Sequence, residues 1–249
     1  MRQKPPRNFS AFTIVELLVV VVVLGILASM VLPAFSRQKH HVSGVRCHSN
    51  LMQAGISYRL WSADNGGFIP SQQSISNGGW KELLTNANQG PLCWSNFAIM
   101  QNEFGQSPRT TVCPLDERTA ATNFSRDFDN THLSYFVGVS ASTTNPKSIL
   151  GGDRNLGGGR TPAFNYGLSL NNGRGNDVAV PLAGPVSWSL TMHSASNAAG
   201  AGNILFCDGS VQCVTTAALN QSWLPAASPT TNWPAGSAPA VASIRLVFP

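Results

Sequence analysis

Charged residues are scarce in this sequence. Asp, Glu, Lys and Arg make up 11% of its 249 residues, whereas an average globular domain carries about a quarter. This scarcity excludes a coiled coil and a highly charged disordered chain, and the glycines and prolines follow no collagen-like repeat. The length suits one or two domains that can bury a sizeable core.

A basic patch is also missing from most of the sequence, although the formal net charge is +5. Three Lys/Arg residues lie within the first eleven positions, and four more lie between positions 37 and 59. From residue 60 onward, nine basic residues are balanced by ten acidic ones. A nucleic-acid surface requires clustered basic residues with interleaved aromatics, so we expect no nucleic-acid partner.

One long apolar run lies near the N-terminus. No charged residue occurs from Leu17 to Ser36, and at about 1.5 Å per residue a helix of this length spans about 30 Å, the thickness of a hydrocarbon core. A backbone in lipid must satisfy its own hydrogen bonds, which favours a helix despite the many valines. We therefore expect a membrane-spanning helix, with the basic N-terminus on the cytoplasmic side.

An ordinary secretory signal peptide is the alternative for this run, because Ala28-Ser29-Met30 offers a weak cleavage site. Glu16 at the head of the run argues against it. A carboxylate entering the bilayer costs about 2.5–3.5 kcal/mol, which indicates that Glu16 has a partner.

The stretch AFTIVELLVV, residues 11–20, resembles the processing motif of type IV prepilins and type II secretion pseudopilins. The resemblance implies that prepilin peptidase cuts between Ala11 and Phe12 and that Phe12 is then methylated. It assigns filament assembly to Glu16, and Pro33 lies where the family commonly carries a kink-forming proline. The family usually has Gly before the cut, so Ala11 is a departure that would slow processing.

Assembly through Glu16 has a physical rationale. Cleavage would create a charged amine on Phe12 in or near the membrane, and Glu16 of one subunit can meet that amine on a neighbour, so that neither charge stays unpaired. The resemblance implies as partners prepilin peptidase, other pilin or pseudopilin subunits and an inner-membrane assembly platform. It places the chain in the inner membrane as a single-pass protein, with the later residues periplasmic or extracellular.

The residues after Pro33 are predicted to continue the helix as an amphipathic stalk. Apolar and small residues recur there at spacings of three and four, which is typical of a buried helix face: Val42, Val45, Ser49, Met52, Ile56, Leu60 and Ala63. The glycines after Asp64 end the helix. We expect four regions: a leader at 1–11, a membrane or filament-core helix at 12–35, a stalk at 36–65 and a head at 66–249.

The head is predicted to consist of short strands separated by turns. Residues 134–139, 148–150, 186–190 and 243–248 are predicted strands, the third half-buried, and residues 203–214 are a predicted hairpin around Asp208-Gly209. A short helix is expected over 216–223, a loop over 225–240, and a turn or bulge in the Gly-rich segment 151–159. The fold class is therefore α+β and pilin-like: a long N-terminal helix followed by an antiparallel β-sheet head rich in loops.

The pair His193 and Asp208-Gly209 is similar to the C-terminal His…Asp-Gly signature of large pilin-like proteins from Planctomycetes and Verrucomicrobia. Fourteen residues separate the His from the Asp here, more than is usual in those proteins. That resemblance implies an architecture for the head and no activity.

Chemistry in the head has weak sequence support. His193 and Asp153 or Asp208 with Ser187 or Ser189 could form a hydrolytic triad, but no Gly-x-Ser-x-Gly elbow is present. Turn capping explains Asp208 more simply. We expect no enzyme activity and no cofactor, with Ca²⁺ at Asp153 or Asp208 as a lesser expectation, because major pseudopilins bind Ca²⁺ in a C-terminal loop.

The five cysteines include no Cys-x-x-Cys pair and no nearby Cys/His cluster of suitable spacing, which argues against zinc. The preferred disulfide closes a loop in the head between Cys93 and Cys113, and Cys47 is expected to be unpaired. The alternative is that all five are reduced core residues.

The sequence thus favours a structural, pseudopilin-like subunit of a type II secretion-like system. Three alternatives stay open: a surface type IV pilin, a membrane-anchored extracytoplasmic protein that binds carbohydrate or another ligand, and an anchored hydrolase.

Overall fold

The computed structural model describes residues 13–82, 93–162, 164–169, 180–181, 185–193, 200–223 and 244–249, with the backbone alone at 30–41, 180 and 181. The first element is helix α1, Ile14–Asp64. The chain divides into two compact units, Met1–Val42 and Ser43–Pro249, so α1 begins in the first unit and ends in the second.

In the first unit, the described side chains of α1 are exposed from Ile14 to Leu27. They are mostly Val, Leu and Ile, so this part of the helix has no polar face of its own. Among the described residues, no helix is both long and apolar enough to cross a membrane.

In the second unit, α1 packs through one face. Its buried residues recur at spacings of three and four: Cys47, Leu51, Ala54, Tyr58 and Trp61. The face predicted to be buried is instead exposed at all seven positions from Val42 to Ala63, so that prediction is wrong. Two apolar stripes share the helical period here, and periodicity alone does not say which one meets the head.

Among its described residues, the head contains an antiparallel sheet of six strands. In chain order the strands are β1 Tyr135–Gly138, β2 Ile149–Asp153, β3 Leu156–Gly158, β4 Val180–Pro181, β5 Val186–Trp188, β6 Ala201–Phe206, β7 Val211–Thr215 and β8 Arg245–Val247. The large sheet has the order β4-β8-β1-β2-β6-β7, and β3 pairs with β5 in a second sheet. The α+β fold class is confirmed.

Both faces of the large sheet are covered. Tyr135 and Val137 of β1 join the buried residues of α1 in one core, whereas Phe136 joins Trp188 and Leu219 in a second core. Successive side chains of a strand point to opposite faces, so a strand with both faces buried loses its polar alternation. In the second sheet β5, predicted to be half-buried, is buried at every position, and its polar residue Ser187 donates a hydrogen bond to the Thr161 carbonyl.

The remaining elements are short. Helix α2, Cys93–Ala98, precedes β1, and α3, Thr216–Ala218, continues as a π-helical turn over Leu219–Trp223. The hairpin of β6 and β7 and the closing strand β8 are confirmed. The Gly-rich segment contains the end of β2 and the whole of β3, with a register shift between Ile149 and Gly151. The predicted loop at 225–240 lies outside the described residues.

Candidate functional site

The N-terminus of α1 is closed by a reciprocal pair of side chains. The Glu16 backbone N–H donates to Thr13 Oγ1 at 3.2 Å, and Glu16 Oε2 accepts from the Thr13 backbone N–H at 2.9 Å. The Thr13 hydroxyl donates to the same carboxylate oxygen at 2.8 Å. This is a capping box, in which two backbone N–H groups without helical partners are satisfied by side chains.

The capping box adds Thr13 to the residues that sequence reasoning assigned to this segment. Its signal was present as a Thr three residues before a Glu, ahead of an apolar run. Ala11 and Phe12, the predicted processing residues, lie outside the described residues. Pro33 lies within α1, and its side chain is outside the described set.

A second constellation is buried in the head, where four distant residues converge. Cys47 comes from α1, Asp153 from the end of β2, Cys113 from the loop after a 3-10 turn at Pro108–Thr111, and His193 from the segment after β5. One donor atom from each, two Sγ, a carboxylate oxygen and an imidazole nitrogen, lies within 4.8 Å of the other three. We call these four residues the buried cluster.

The contacts within the buried cluster are close. Cys47 Sγ lies 3.3 Å from Asp153 Oδ1, Cys113 Sγ lies 3.5 Å from His193 Nε2, and His193 Nε2 lies 3.3 Å from Asp153 Oδ2. The side chain of His193 is 8% exposed and that of Asp153 is fully buried, so water has little access to these atoms.

Strand pairing positions the carboxylate of the buried cluster. Asp153 is paired with Tyr135 across β1 and β2, and on its other side the Asn203 backbone N–H donates to Asp153 Oδ2 at 2.6 Å. The Asn203 side-chain amide donates to the same oxygen at 3.0 Å. Met192, with a φ of 53°, turns the backbone immediately before His193, a conformation that few non-glycine residues adopt.

Burial and charge act in opposite directions on the ionisable pair. Burial opposes the charged form of His193, but the Asp153 carboxylate and Cys113 together outweigh it and raise the pKa of His193 to about 9. Burial also raises the pKa of Asp153, against the lowering influence of His193 and the Asn203 hydrogen bonds. The two groups therefore stabilise each other's charged forms in a site that would otherwise disfavour both.

The candidate catalytic and calcium residues do not come together as the sequence suggested. His193 contacts Asp153, whereas Asp208 lies on the exposed β6–β7 turn and accepts from the Ser210 backbone N–H at 2.8 Å. Asp208 is thus a turn-capping residue, and the two calcium candidates lie in different environments.

The two candidate serine nucleophiles are engaged away from His193. Ser187 Oγ donates to the Thr161 carbonyl, and Ser189 Oγ bonds to Thr191 Oγ1. The described residues thus do not assemble the triad that was conceivable from the sequence.

The predicted Cys93–Cys113 disulfide is not formed. All five cysteines are free thiols. Cys93 Sγ donates to the carbonyls of Tyr135 and Val247, at 3.4 and 3.3 Å, whereas Cys113 belongs to the buried cluster. The pairing was wrong because loop length alone does not show where two thiols point.

Comparison with known proteins identifies the N-terminal segment. The family model of the prokaryotic N-terminal methylation motif matches residues 6–32, which confirms the resemblance to type IV prepilins and pseudopilins. The motif marks a substrate of prepilin peptidase that assembles with other pilin subunits. No curated protein and no solved structure matches the chain, so the resemblance of the head to the His…Asp-Gly proteins stays a prediction.

Proposed function

We propose that this chain is a non-enzymatic, pseudopilin-like subunit of a type II secretion-like system. In this proposal prepilin peptidase cuts between Ala11 and Phe12, and the N-terminal helix holds the chain in the inner membrane with the head in the periplasm. Subunits then assemble through their helices on an inner-membrane platform. The observation that carries the proposal is the methylation motif at residues 6–32.

The N-terminal cap supports a role for Glu16 in assembly. In the single chain the Glu16 carboxylate is satisfied by Thr13, so the helix can exist before assembly without an unpaired acid at its apolar end. Transfer of the carboxylate to the Phe12 amine of a neighbour would exchange these bonds for an ion pair in an apolar environment, where such pairs are strong. Glu16 would therefore favour the subunit register in which its carboxylate meets the Phe12 amine of a neighbour.

The exposed apolar residues of α1 support assembly between copies of the chain. In the first unit the described residues from Ile14 to Leu27 are exposed, and in the second unit so are Val45, Met52, Ile56 and Leu60. Contiguous exposed apolar surface marks an interaction site or a membrane contact. The head already covers the opposite face of α1 with its own core, which leaves the exposed stripe to a helix of a second copy.

Intact-protein mass spectrometry of the native protein tests this proposal. We expect a mature chain that begins at Phe12 and carries one N-terminal methyl group. A chain that retains Met1, in a host with an active prepilin peptidase, would contradict the proposal and favour a simple membrane anchor. A cut at the Ala28-Ser29-Met30 site would also contradict it, because that is the product of a signal peptidase.

A further inference from the structure

We propose that the head contains a structural Zn²⁺ site whose four ligands are those of the buried cluster, Cys47, Cys113, Asp153 and His193. Two thiolates, one imidazole and one carboxylate are donors that zinc accepts in proteins. The inference is independent of filament assembly and concerns the second unit alone. The lack of a zinc-binding spacing in the sequence does not exclude this site, because its ligands come from four separate parts of the chain.

The distances within the buried cluster fit a tetrahedral ion. With Zn–S of about 2.3 Å and Zn–N or Zn–O of about 2.0–2.1 Å, neighbouring donors of a tetrahedron lie about 3.3–3.8 Å apart. Cys113 Sγ and His193 Nε2 are 3.5 Å apart, and His193 Nε2 and Asp153 Oδ2 are 3.3 Å apart. Cys47 Sγ and Asp153 Oδ1 are 3.3 Å apart. The second carboxylate oxygen of Asp153 thus faces Cys47, and the four donor atoms as a set lie within 4.8 Å of one another. The most distant pair must therefore approach by up to about 1 Å to reach tetrahedral spacing.

The surroundings of His193 Nε2 are hard to satisfy with hydrogen bonds alone. This nitrogen faces a donor, the Asn203 amide Nδ2 at 3.1 Å, and an acceptor, Asp153 Oδ2 at 3.3 Å. The amide orientation is fixed, because the same Nδ2 donates to Asp153 at 3.0 Å. A protonated Nε2 can donate to the carboxylate but then lies against another donor, the amide N–H. An unprotonated Nε2 can accept from the amide but then lies against another acceptor, the carboxylate. A metal ion would remove the conflict, because it would accept the lone pair of Nε2 and balance the negative charge of Asp153.

The same geometry argues against a cysteine nucleophile. In a catalytic triad the imidazole contacts the nucleophile through one ring nitrogen and the orienting carboxylate through the other. Here Cys113 and Asp153 both lie against Nε2. Cys113 is also fully buried, so no substrate could reach it. The arrangement suits shared ligation of one ion, and it does not suit proton transfer along a chain.

Supporting residues hold the ligands in place. The Asn203 backbone N–H and side-chain amide both donate to Asp153 Oδ2, and the Tyr135 hydroxyl lies 3.5 Å from Cys47 Sγ. Outer contacts of this kind orient metal ligands and tune their basicity. Three of the four ligands are fully buried, and all four positions are filled by protein, which is the pattern of a structural zinc site.

Binding exchanges protons for the ion. The two thiols release their protons to solvent and bind as thiolates, and an imidazolium at His193 releases its Nε2 proton, while Asp153 binds as the carboxylate. The ion would then tie α1 to the sheet and to two loops. Since the unfolded chain does not hold these ligands together, binding would stabilise the folded head.

Metal content and optical spectra of the full chain test the site. The chain is purified in detergent under reducing conditions, stripped with a chelator and titrated with Zn²⁺ or Co²⁺. We expect about one Zn²⁺ per chain, a rise in the thermal midpoint, and, with Co²⁺, the thiolate charge-transfer and intense visible bands of tetrahedral coordination. Cys47→Ser and Cys113→Ser should lose the charge-transfer intensity. Asn203→Ala should weaken binding by about 10–100-fold.

Two cysteines outside the cluster provide matched controls. Cys93→Ser removes a buried thiol and Cys213→Ser an exposed one, and both variants should keep the stoichiometry and the Co²⁺ spectrum. Wild-type binding no tighter than that of Cys113→Ser would overturn the proposal. So would a Cys47–Cys113 disulfide in protein purified without reductant. If the ligand variants fail to fold, the wild-type Co²⁺ spectrum decides, because a spectrum without thiolate bands excludes the site.

Discussion

Arg154 donates two parallel hydrogen bonds to Asp116 in the interior of the head. Nε and one terminal nitrogen of the guanidinium each lie 2.7 Å from a carboxylate oxygen, and both side chains are fully buried. The guanidinium also lies over the Tyr166 ring, 3.4 Å from its centroid. A buried charge without its partner is costly, so this pair fixes the loop that carries Asp116 to the end of β2.

Acid should weaken the fold through this pair. Burial raises the pKa of Asp116, but the hydrogen bonds and charge of Arg154 outweigh it and hold the pKa below its usual value. In the unfolded chain the Asp carboxyl has a pKa of about 3.9, so the pair stabilises the fold above that pH. The contribution is lost as the pH falls through the lower folded pKa. Urea unfolding of the full chain between neutral pH and pH 3 should show this decline.

Substitutions of Asp116 and Glu117 distinguish the stability that each carboxylate contributes through Arg154. Asp116→Asn leaves the buried Arg154 without its bidentate, fully buried partner and should cost about 3–5 kcal/mol at neutral pH. Glu117→Gln is the control, because Glu117 is 65% exposed and 3.4 Å from the same guanidinium; it should cost about 1 kcal/mol or less. Equal losses in the two variants would show that the bidentate geometry contributes nothing.

Glu16 should act in assembly through its charge. Glu16→Gln keeps an oxygen that can accept the Thr13 N–H in the capping box but removes the charge, whereas Glu16→Val removes both. We expect both variants to be cut and methylated at Phe12 and both to lose filaments, measured as sheared, pelletable protein from cells with the assembly machinery. Normal filaments from Glu16→Gln would show that helix capping, and no ion pair, is what assembly needs.

The sequence predicted the local features of this fold well. The β6–β7 hairpin followed from an Asp-Gly turn between apolar segments, and β1 and β8 from short β-branched and aromatic runs, because each depends on neighbouring residues alone. The N-terminal motif was equally local. Thr13 could have been added on the same grounds, since its spacing to Glu16 is a capping-box signature.

The buried cluster could not have been found in this way. Its ligands stand at positions 47, 113, 153 and 193, and only the packing of α1 on the sheet and the pairing of β1 with β2 bring them together. The spacing rules for zinc describe ligands that share a short motif. These rules carry no information about ligands supplied by separate elements. The position of Cys93 and Cys113 in the sequence likewise did not show that the two thiols lie in different surroundings.

Because Gly202 packs closely against Trp188, a larger residue at position 202 should destabilise the fold. A Cβ at Gly202 would lie 2.5–2.8 Å from three atoms of the Trp188 ring, which is fully buried. Gly202→Ala should therefore cost about 1–3 kcal/mol. Gly158→Ala is the matched control, because it is also a strand glycine but a Cβ there meets no atom within 4 Å. Its change should stay within about 0.5 kcal/mol, and thermal unfolding of the two full-length variants provides the comparison.

Two leucines of α1 should separate folding from assembly. Leu51 is 1% exposed in the core of the head, whereas Leu60 is 52% exposed on the opposite stripe. Leu51→Ala leaves a cavity and should destabilise the head by about 2–5 kcal/mol. Leu60→Ala should change stability by about 0.5 kcal/mol or less but reduce the yield of filaments, because the proposed contact with a second copy uses that stripe. Unfolding midpoints and pelletable protein measured on both variants give a crossed pattern if the proposal holds. A Leu60→Ala variant with normal filaments would show that the exposed stripe of the second unit is not the assembly face.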